Sequence, residues 1–439
     1  MAGAPPPAGG LRASLTRVAA RLTTPVAYLA VLGGLQVLLL WVLREHVGLW
    51  PALAGTVGWL GLLALLIWTA GRWRLKLLGI AGLGVVTAIA PTLVAIVERP
   101  RIGLTMEHDG LLQLESAVDR VLQGQPIYGV DWSNTPMANV GWQLTPGQNP
   151  ALHHLAYYPL AVLVGVPVRL LTDAWHLPFD YRLVLIGFAV LGLMAIAALP
   201  IAAERRFMII TAIFVSPLIT LYLWAGRNDI EFLAVVFLSI ALLARGHAIL
   251  AAGALGVAVA LKPFALIAVP FLLLVLVVRW RADRSGRDLA VGLLALGAVP
   301  AASILPFFLA NPGAFWTDVV LYTSGGIPDA YPIRGYGFGE ILYGLHVIGR
   351  RSDSFPFAIF EVAAAAPVLW IAGRAFLRRP TGARWMAGYA LLLLASTFFA
   401  RFFNDNYAAL VVTLLLCVLP LGSLSLAPAS PNRAERVAA

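Results

Sequence analysis

Glu107-His108-Asp109 puts two carboxylates and an imidazole on three consecutive residues. Carboxylates take protons or hold cations, and imidazole can do either. The cluster is informative because of its setting. The 439-residue chain is 60% hydrophobic and 12% charged, with a mean hydropathy of +0.85. Acids gathered beside an apolar segment in such a chain need an explanation, and we read them as part of a membrane-embedded active site.

Asp109 precedes a run in which Leu111, Leu114, Val118, Val121 and Leu122 fall at helical spacing, with Gly124 as a stop signal and Pro126 beyond it. The spacing predicts an amphipathic helix over 110–123, lying on the membrane surface. At its start a carboxylate satisfies orphan backbone N–H groups and the helix dipole. The same carboxylate is suited to take a proton from a substrate hydroxyl, and the two roles are compatible. Glu107, His108 and Asp109 together offer donors to a divalent cation, but without spaced partners they make a weak metal motif.

Other charged residues stand at comparable places. Asp229, in Gly226-Arg227-Asn228-Asp229-Ile230-Glu231, opens an apolar span and suits either an N-cap or a site. Lys262 interrupts an otherwise uncharged stretch from Ala248 to Val278, where a lysine costs about 2.5–3.5 kcal/mol to insert. It is placed either to snorkel to the interface or to hold a lipid phosphate. A Gly/Tyr-rich stretch, Tyr322-Thr323-Ser324-Gly325-Gly326 and Asp329 to Gly339, suits sugar rings, lipid headgroups or an interface belt. Arg334 and His346 are its candidates to touch a substrate, and Arg401 to Tyr407 could close the site.

The elements that must position these residues are transmembrane helices. Apolar stretches of about 18 or more residues recur throughout, which marks an all-α, polytopic membrane protein. Val26 to Val42 follows a basic lead without a small-residue cleavage site and reads as an uncleaved first span. Cys417 is the one cysteine, so no intramolecular disulfide forms. The net charge of +10 comes from arginine clusters between spans, the positive-inside pattern, and excludes nucleic acid as a partner.

Placing Arg12, Arg17 and Arg21, then Arg72, Arg74 and Lys76, in the cytoplasm leaves the loop after Val97 outside. Leu152 to Leu171, broken by Pro159 and Pro167, reads as interfacial or re-entrant. The result is about 12 spans. Residues 1–25 are a cytoplasmic tail, 26–422 one transmembrane domain with external loops 98–182 and 310–354, and 423–439 a disordered cytoplasmic tail. Both termini are cytoplasmic and the site is extracytoplasmic, at a cell membrane.

These residues carry a family resemblance. Asp109 with its helix, Gly124-Gln125-Pro126-Ile127-Tyr128, Tyr157-Tyr158-Pro159-Leu160, the Gly226-Arg227-Asn228 corner and Gly253 through Leu261-Lys262-Pro263 resemble the integral-membrane type-C (GT-C) glycosyltransferases. Within these the chain is most similar to glycosyltransferase family 87, polyprenyl-phosphate-mannose-dependent α-mannosyltransferases. The likeness covers roughly residues 100–280. It departs from many members in having two spans before the one that leads into the large loop.

The resemblance implies a polyprenyl-phosphate sugar donor, a glycolipid or glycan acceptor and extracytoplasmic chemistry. It also implies a catalytic acid at Asp109 and a second acid at Asp229. The expected reaction is inverting, with Asp109 as general base and Lys262 balancing the leaving phosphate, Arg227 or Arg334 being alternates. Glu107, His108 and His346 complete the expected substrate-binding set. No soluble cofactor is required, although a divalent metal is compatible. The alternative reading is a membrane transporter or lipid-linked-glycan flippase, which predicts internal repeats and paired broken helices.

Overall fold

Apolar runs of this length can satisfy their backbone hydrogen bonds in lipid only as helices, and helices are what form. The computed structural model describes residues 24–103, 106–140, 149–283 and 286–426. Arg12, Arg17, Arg21, Arg284 and residues 427–439 lie outside the described residues.

Three long helices open the chain: α1 (Pro25–Val42), α2 (Leu49–Trp68) and α3 (Trp73–Arg101). The long segment after α3 then contributes α4 (Asp109–Leu122), α5 (Pro159–Leu163) and α6 (Gly165–Ala174). After α7 (Arg182–Ala197), an apolar run bends by 43° between α8 (Ala203–Phe214) and α9 (Pro217–Trp224). Ser216 accepts the Leu218 N–H at 3.3 Å and Pro217 starts the new helix, a pairing that restarts a helix in a new direction. Next come α10 (Asp229–Ala244), α11 (Ala248–Leu261), α12 (Pro263–Arg281) and α13 (Arg287–Ala310). A second long segment, after α13, holds α14 (312–324), β1 (Arg334–Gly335) and α15 (Phe338–Gly344). The chain closes with α16 (Phe357–Arg378), α17 (Gly382–Phe398), β2 (Phe402–Phe403) and α18 (Asp405–Val418).

Each of the twelve expected spans falls on a helix. Among the described residues six of them (α1, α2, α3, α12, α13, α16) are long and apolar enough to cross a membrane, and the bent α8–α9 pair makes a seventh. The other five, α7, α10, α11, α17 and α18, run 14 to 17 residues. They are shorter than the ~20 residues a bilayer core asks for. In α13 and α16 only 6% of the spanning window is buried in protein, against 50% in α3, so those two helices present most of their surface to lipid.

The shortness has a structural consequence. Helix α11 stops at Lys262, whose backbone is extended (φ −153°), and Pro263 begins a 3-10 turn that leads into the α12 helix proper. Proline at that point removes a helical N–H and disfavours helical geometry one residue earlier. The helix end therefore stops inside the bundle and places Lys262 beside Asn228 and Asp229.

Helix α4 corrects one expectation. Its apolar face, Leu111, Leu112, Leu114, Ala117 and Val118, is buried within the protein core and does not lie on a membrane surface. Leu111 packs on Gly226, which takes the left-handed φ of +81°, and Val118 packs on Gly165 of α6. Amphipathicity shows that a face is covered and is silent about what covers it. At the other end, Leu424 and Leu426 are buried and Ser425 pairs with Thr381, so the packed chain extends past residue 422.

Candidate active site

Asp109 is the first residue of α4 and His108 its N-cap. His108 Nδ1 lies 2.8 Å from Asp109 Oδ1. The Gly110 N–H is 3.1 Å from that nitrogen and 2.8 Å from the same carboxylate oxygen. If Nδ1 donates to Asp109 it carries a proton and cannot also accept, which directs the Gly110 N–H to the carboxylate. Gly110 has to be glycine because a Cβ there would run into the Tyr157 hydroxyl. Burial alone would raise the Asp109 carboxyl. The His108 imidazole, the Gly110 N–H and the Arg227 guanidinium outweigh it and hold the pKa at about 2. Asp109 is therefore an ionised, half-buried carboxylate.

Asp109 opens onto a cavity of about 660 Å³ between the 106–182 and 312–356 segments and the ends of α11, α16, α17 and α18. Of the expected site residues, His108, Asp109, Arg227 and Lys262 line it. Its wall includes the polar Tyr157, Tyr322, Tyr331 and Asn406 and the apolar Leu261, Phe264, Ile267, Val320 and Phe357. The Arg401 to Tyr407 segment also contributes Arg401, Phe402, Asn404 and Tyr407, as expected of a segment that closes the site.

The cations of the cavity are held from behind. Lys262 Nζ lies 2.5 Å from Asp229 Oδ1 and 3.1 Å from Asn228 Oδ1, and the other Asp229 oxygen accepts from Asn406 at 2.7 Å. Arg227 donates to Asp405 at 2.8 Å and to Asn406 Oδ1 at 2.9 Å. Asp229 is 2% exposed, so its carboxylate orients Lys262 from within the wall and does not itself line the cavity. An ammonium has three hydrogens, and two partners leave it able to meet an anion.

Three expected residues lie elsewhere. Glu107 turns away from Asp109 to pair with Arg182 at 3.2 Å, with both side chains sealed from solvent. The Glu107-His108-Asp109 run consequently forms no metal-ligand set, and no group of three or more His, Cys, Asp or Glu able to hold a metal occurs among the described residues. Arg334 sits on β1, whose backbone pairs with Phe402, one step behind the Tyr331 that lines the cavity. His346, with a left-handed φ of 59°, ends the turn after α15 and is outside the cavity wall.

His154 is the residue that motif reading passed over. Its Nδ1 meets Asp318 Oδ1 and its Nε2 meets Asp329 Oδ2, both at 2.9 Å, so it pins the segment after α3 to the segment after α13. Burial lowers its pKa, but the two carboxylates outweigh burial and raise it above the ordinary histidine value. Its partners are 164 and 175 residues away, a pairing that no local pattern encodes.

No family model matches this sequence, and no curated protein matches it. Among solved structures the chain is similar to that of ArnT from Cupriavidus metallidurans bound to undecaprenyl phosphate, at 20% identity and a TM-score of 0.43, over 77% of this chain. The likeness spans 60% of the length of that structure.

Proposed function

We propose that this chain is a GT-C-type membrane glycosyltransferase that moves mannose from a polyprenyl-phosphate donor to a lipid or glycan acceptor on the extracytoplasmic side, with inversion. What carries the reading is that an ionised carboxylate, Asp109, and an ammonium at an interrupted membrane helix, Lys262, line one cavity whose wall carries both polar and apolar side chains.

Asp109 takes the proton of the acceptor hydroxyl as that oxygen bonds to the anomeric carbon. The bond from anomeric carbon to phosphate oxygen breaks on the opposite face, and its electron pair leaves with the polyprenyl phosphate. The hydroxyl becomes acidic only as its oxygen bonds to carbon, so a weakly basic carboxylate that is always ionised serves for late proton transfer. Phosphate is already a good leaving group, and fixed positive charge at Lys262 and Arg227 stabilises it without reorganisation. Leu261, Phe264 and Ile267 receive the first isoprene units. A flippase would instead move intact lipid-linked glycan without bond exchange.

The test is transfer of radiolabel from polyprenyl-phosphate-mannose into lipid in membranes containing wild type or Asp109→Asn at equal amounts. Labelled product with wild type and none with the variant supports the reading. Equal transfer by both would make Asp109 a helix cap. Absence of transfer by both would remove the donor assignment and favour transport.

A further inference from the structure

Among the described residues two acids line the large cavity, and they stand on different supports. Asp109 starts α4, whose apolar face is in the protein core. Glu361 lies in the second turn of α16, a spanning helix with only 6% of its window buried in protein. It is the one acid of that span. The positions three and four residues away are Phe357, Ala358, Ala364 and Ala365, none of which can pair with a carboxylate.

Helix geometry separates two faces at this point. Phe357, Ala358 and Glu361 share one face, and all three line the cavity. Ile359 and Val362, three residues apart, are 67% and 66% exposed and form the face beside it, which meets lipid. Ser396, Thr397 and Ala400, at the same spacing on α17, continue the cavity wall, and α17 packs on α16. Glu361 is only half-buried and keeps accessible surface. An acid on a membrane-spanning helix is stable where it faces a polar cavity, and such residues mark substrate paths. The cavity therefore reaches the lipid-facing edge of the bundle at Glu361.

The neighbouring charges narrow what Glu361 meets. Lys262 and Arg227 already have carboxylates behind them, Asp229 and Asp405, so Glu361 is not their counter-ion. Its charge repels a phosphate, which belongs with those two cations. A carboxylate instead holds the hydroxyls of a polyol, from which it accepts charge-assisted hydrogen bonds. Resting on the glycosyltransferase reading, we infer that Glu361 binds hydroxyls of a lipid-borne acceptor, which enters the cavity beside α16 and is held there for Asp109. Glu361 is thus a binding residue for the acceptor, separate from the Asp109 base and the Lys262 phosphate contact.

The experiment uses the full-length protein in nanodiscs, radiolabelled decaprenyl-phosphate-mannose as donor, and two acceptor probes that share a headgroup, octyl α-mannoside and methyl α-mannoside. Wild type should show a KM for the octyl probe at least about 10-fold below that for the methyl probe, the worth of two buried methylenes. Glu361→Gln should raise the KM for octyl α-mannoside by roughly 10-fold or more, the worth of a hydrogen bond to a charged group, with kcat little changed. Its affinity for decaprenyl-phosphate-mannose should equal that of wild type, and Glu361→Asp should recover part of the lost acceptor affinity. The melting temperature of Glu361→Gln should not fall, because no side chain one turn away pairs with the carboxylate.

An unchanged acceptor KM in Glu361→Gln overturns the inference, as does a fall in kcat and melting temperature together, which makes the residue structural. Weakened binding of the donor lipid puts Glu361 on the transferred sugar and overturns it too. Equal KM values for the two probes in wild type overturn entry from the lipid side. If wild type binds the donor but transfers to neither probe, the acceptor class is wrong and the donor reading stands. If wild type does not bind the donor lipid, the glycosyltransferase reading itself fails and takes this inference with it.

Discussion

Two groups of paired charges, one reached from α4 through Glu115 and one that shares the cavity wall with Asp109, are put together differently. In the first, Arg99 holds Glu115 at 2.7 Å and Asp180 at 2.8 Å, while Arg182 holds Asp180 at 2.7 Å and Glu107 at 3.2 Å. Arg182 also donates to Trp224 O, and the Tyr181 N–H goes to Glu115, so the cluster is closed and lines no part of the large cavity. In the second, Lys262, Asp229, Arg227, Asp405 and Asn406 pair with one another but leave Lys262, Arg227 and Asp109 facing the cavity. Saturated charge makes a fastener; charge with spare hydrogen-bonding capacity makes a site. The sequence cluster Glu107-His108-Asp109 is divided between the two.

That division predicts opposite phenotypes for neighbouring residues, and the largest effect belongs to Asp109. Asp109→Asn should lower kcat/KM by about 10²- to 10⁴-fold, the usual contribution of a general base, with little change in melting temperature because the amide oxygen still accepts the Gly110 N–H. The pH profile sharpens this. With the folded pKa held down at about 2, Asp109 keeps its charge until pH falls through that value, so its titration should give kcat/KM no acid limb between roughly pH 5 and 7. An acid limb there that disappears in Asp109→Asn would contradict the environment described for this carboxylate.

Lys262→Met comes next, and it breaks the comparison from the cavity side. Removing the ammonium leaves Asp229 buried without its cation, a loss of about 3–5 kcal/mol that chemical denaturation should read. The double variant Lys262→Met with Asp229→Asn should recover most of that stability while transfer stays absent. Recovery of both would make the pair structural, like Arg182 with its acids.

Glu107→Gln is smaller and inverted in kind. Arg182 keeps Asp180, so the expected loss is about 1–3 kcal/mol of stability, with kcat/KM per folded molecule unchanged. A drop in kcat/KM comparable to that of Asp109→Asn would merge the two clusters into one machine.

How far the residues announced this arrangement depends on the range of the forces involved. The apolar periods gave the twelve helical segments, and the run after Asp109 gave α4 to within a residue, because both are local patterns. The break at Lys262-Pro263 was equally readable, since proline acts on its immediate neighbours. Glu107 was not separable from Asp109, because residues two apart share a face in extended backbone, and only the fold, with α4 starting at Asp109 and Arg182 taking Glu107, sends the two carboxylates to different partners. Arg334 and His346 share the loop of Tyr331 and Asp329, yet a loop's path decides which of its polar groups reach inward. Tyr157 was quoted for its motif and Tyr322 for its aromatic surface; neither signal shows that the two residues line one cavity.

The smallest predicted effect concerns His154, which joins the segments after α3 and α13 and resembles the closed cluster in being fully paired while lining the cavity. Its folded pKa is raised above the ordinary 6.5, so folding favours the protonated ring. That stabilisation is complete below the unfolded value and is lost as pH rises through the folded one. The melting temperature should therefore fall as pH is raised above about 6.5, and His154→Gln should flatten that slope. Asp318 is 1% exposed and also accepts the Gly129 N–H at 2.8 Å, whereas the Asp329 side chain is 51% exposed. Solvent screens the Asp329 arm more, so Asp329→Asn should remove less of the slope than Asp318→Asn, and the reverse order would place the clamp's strength on the wrong carboxylate.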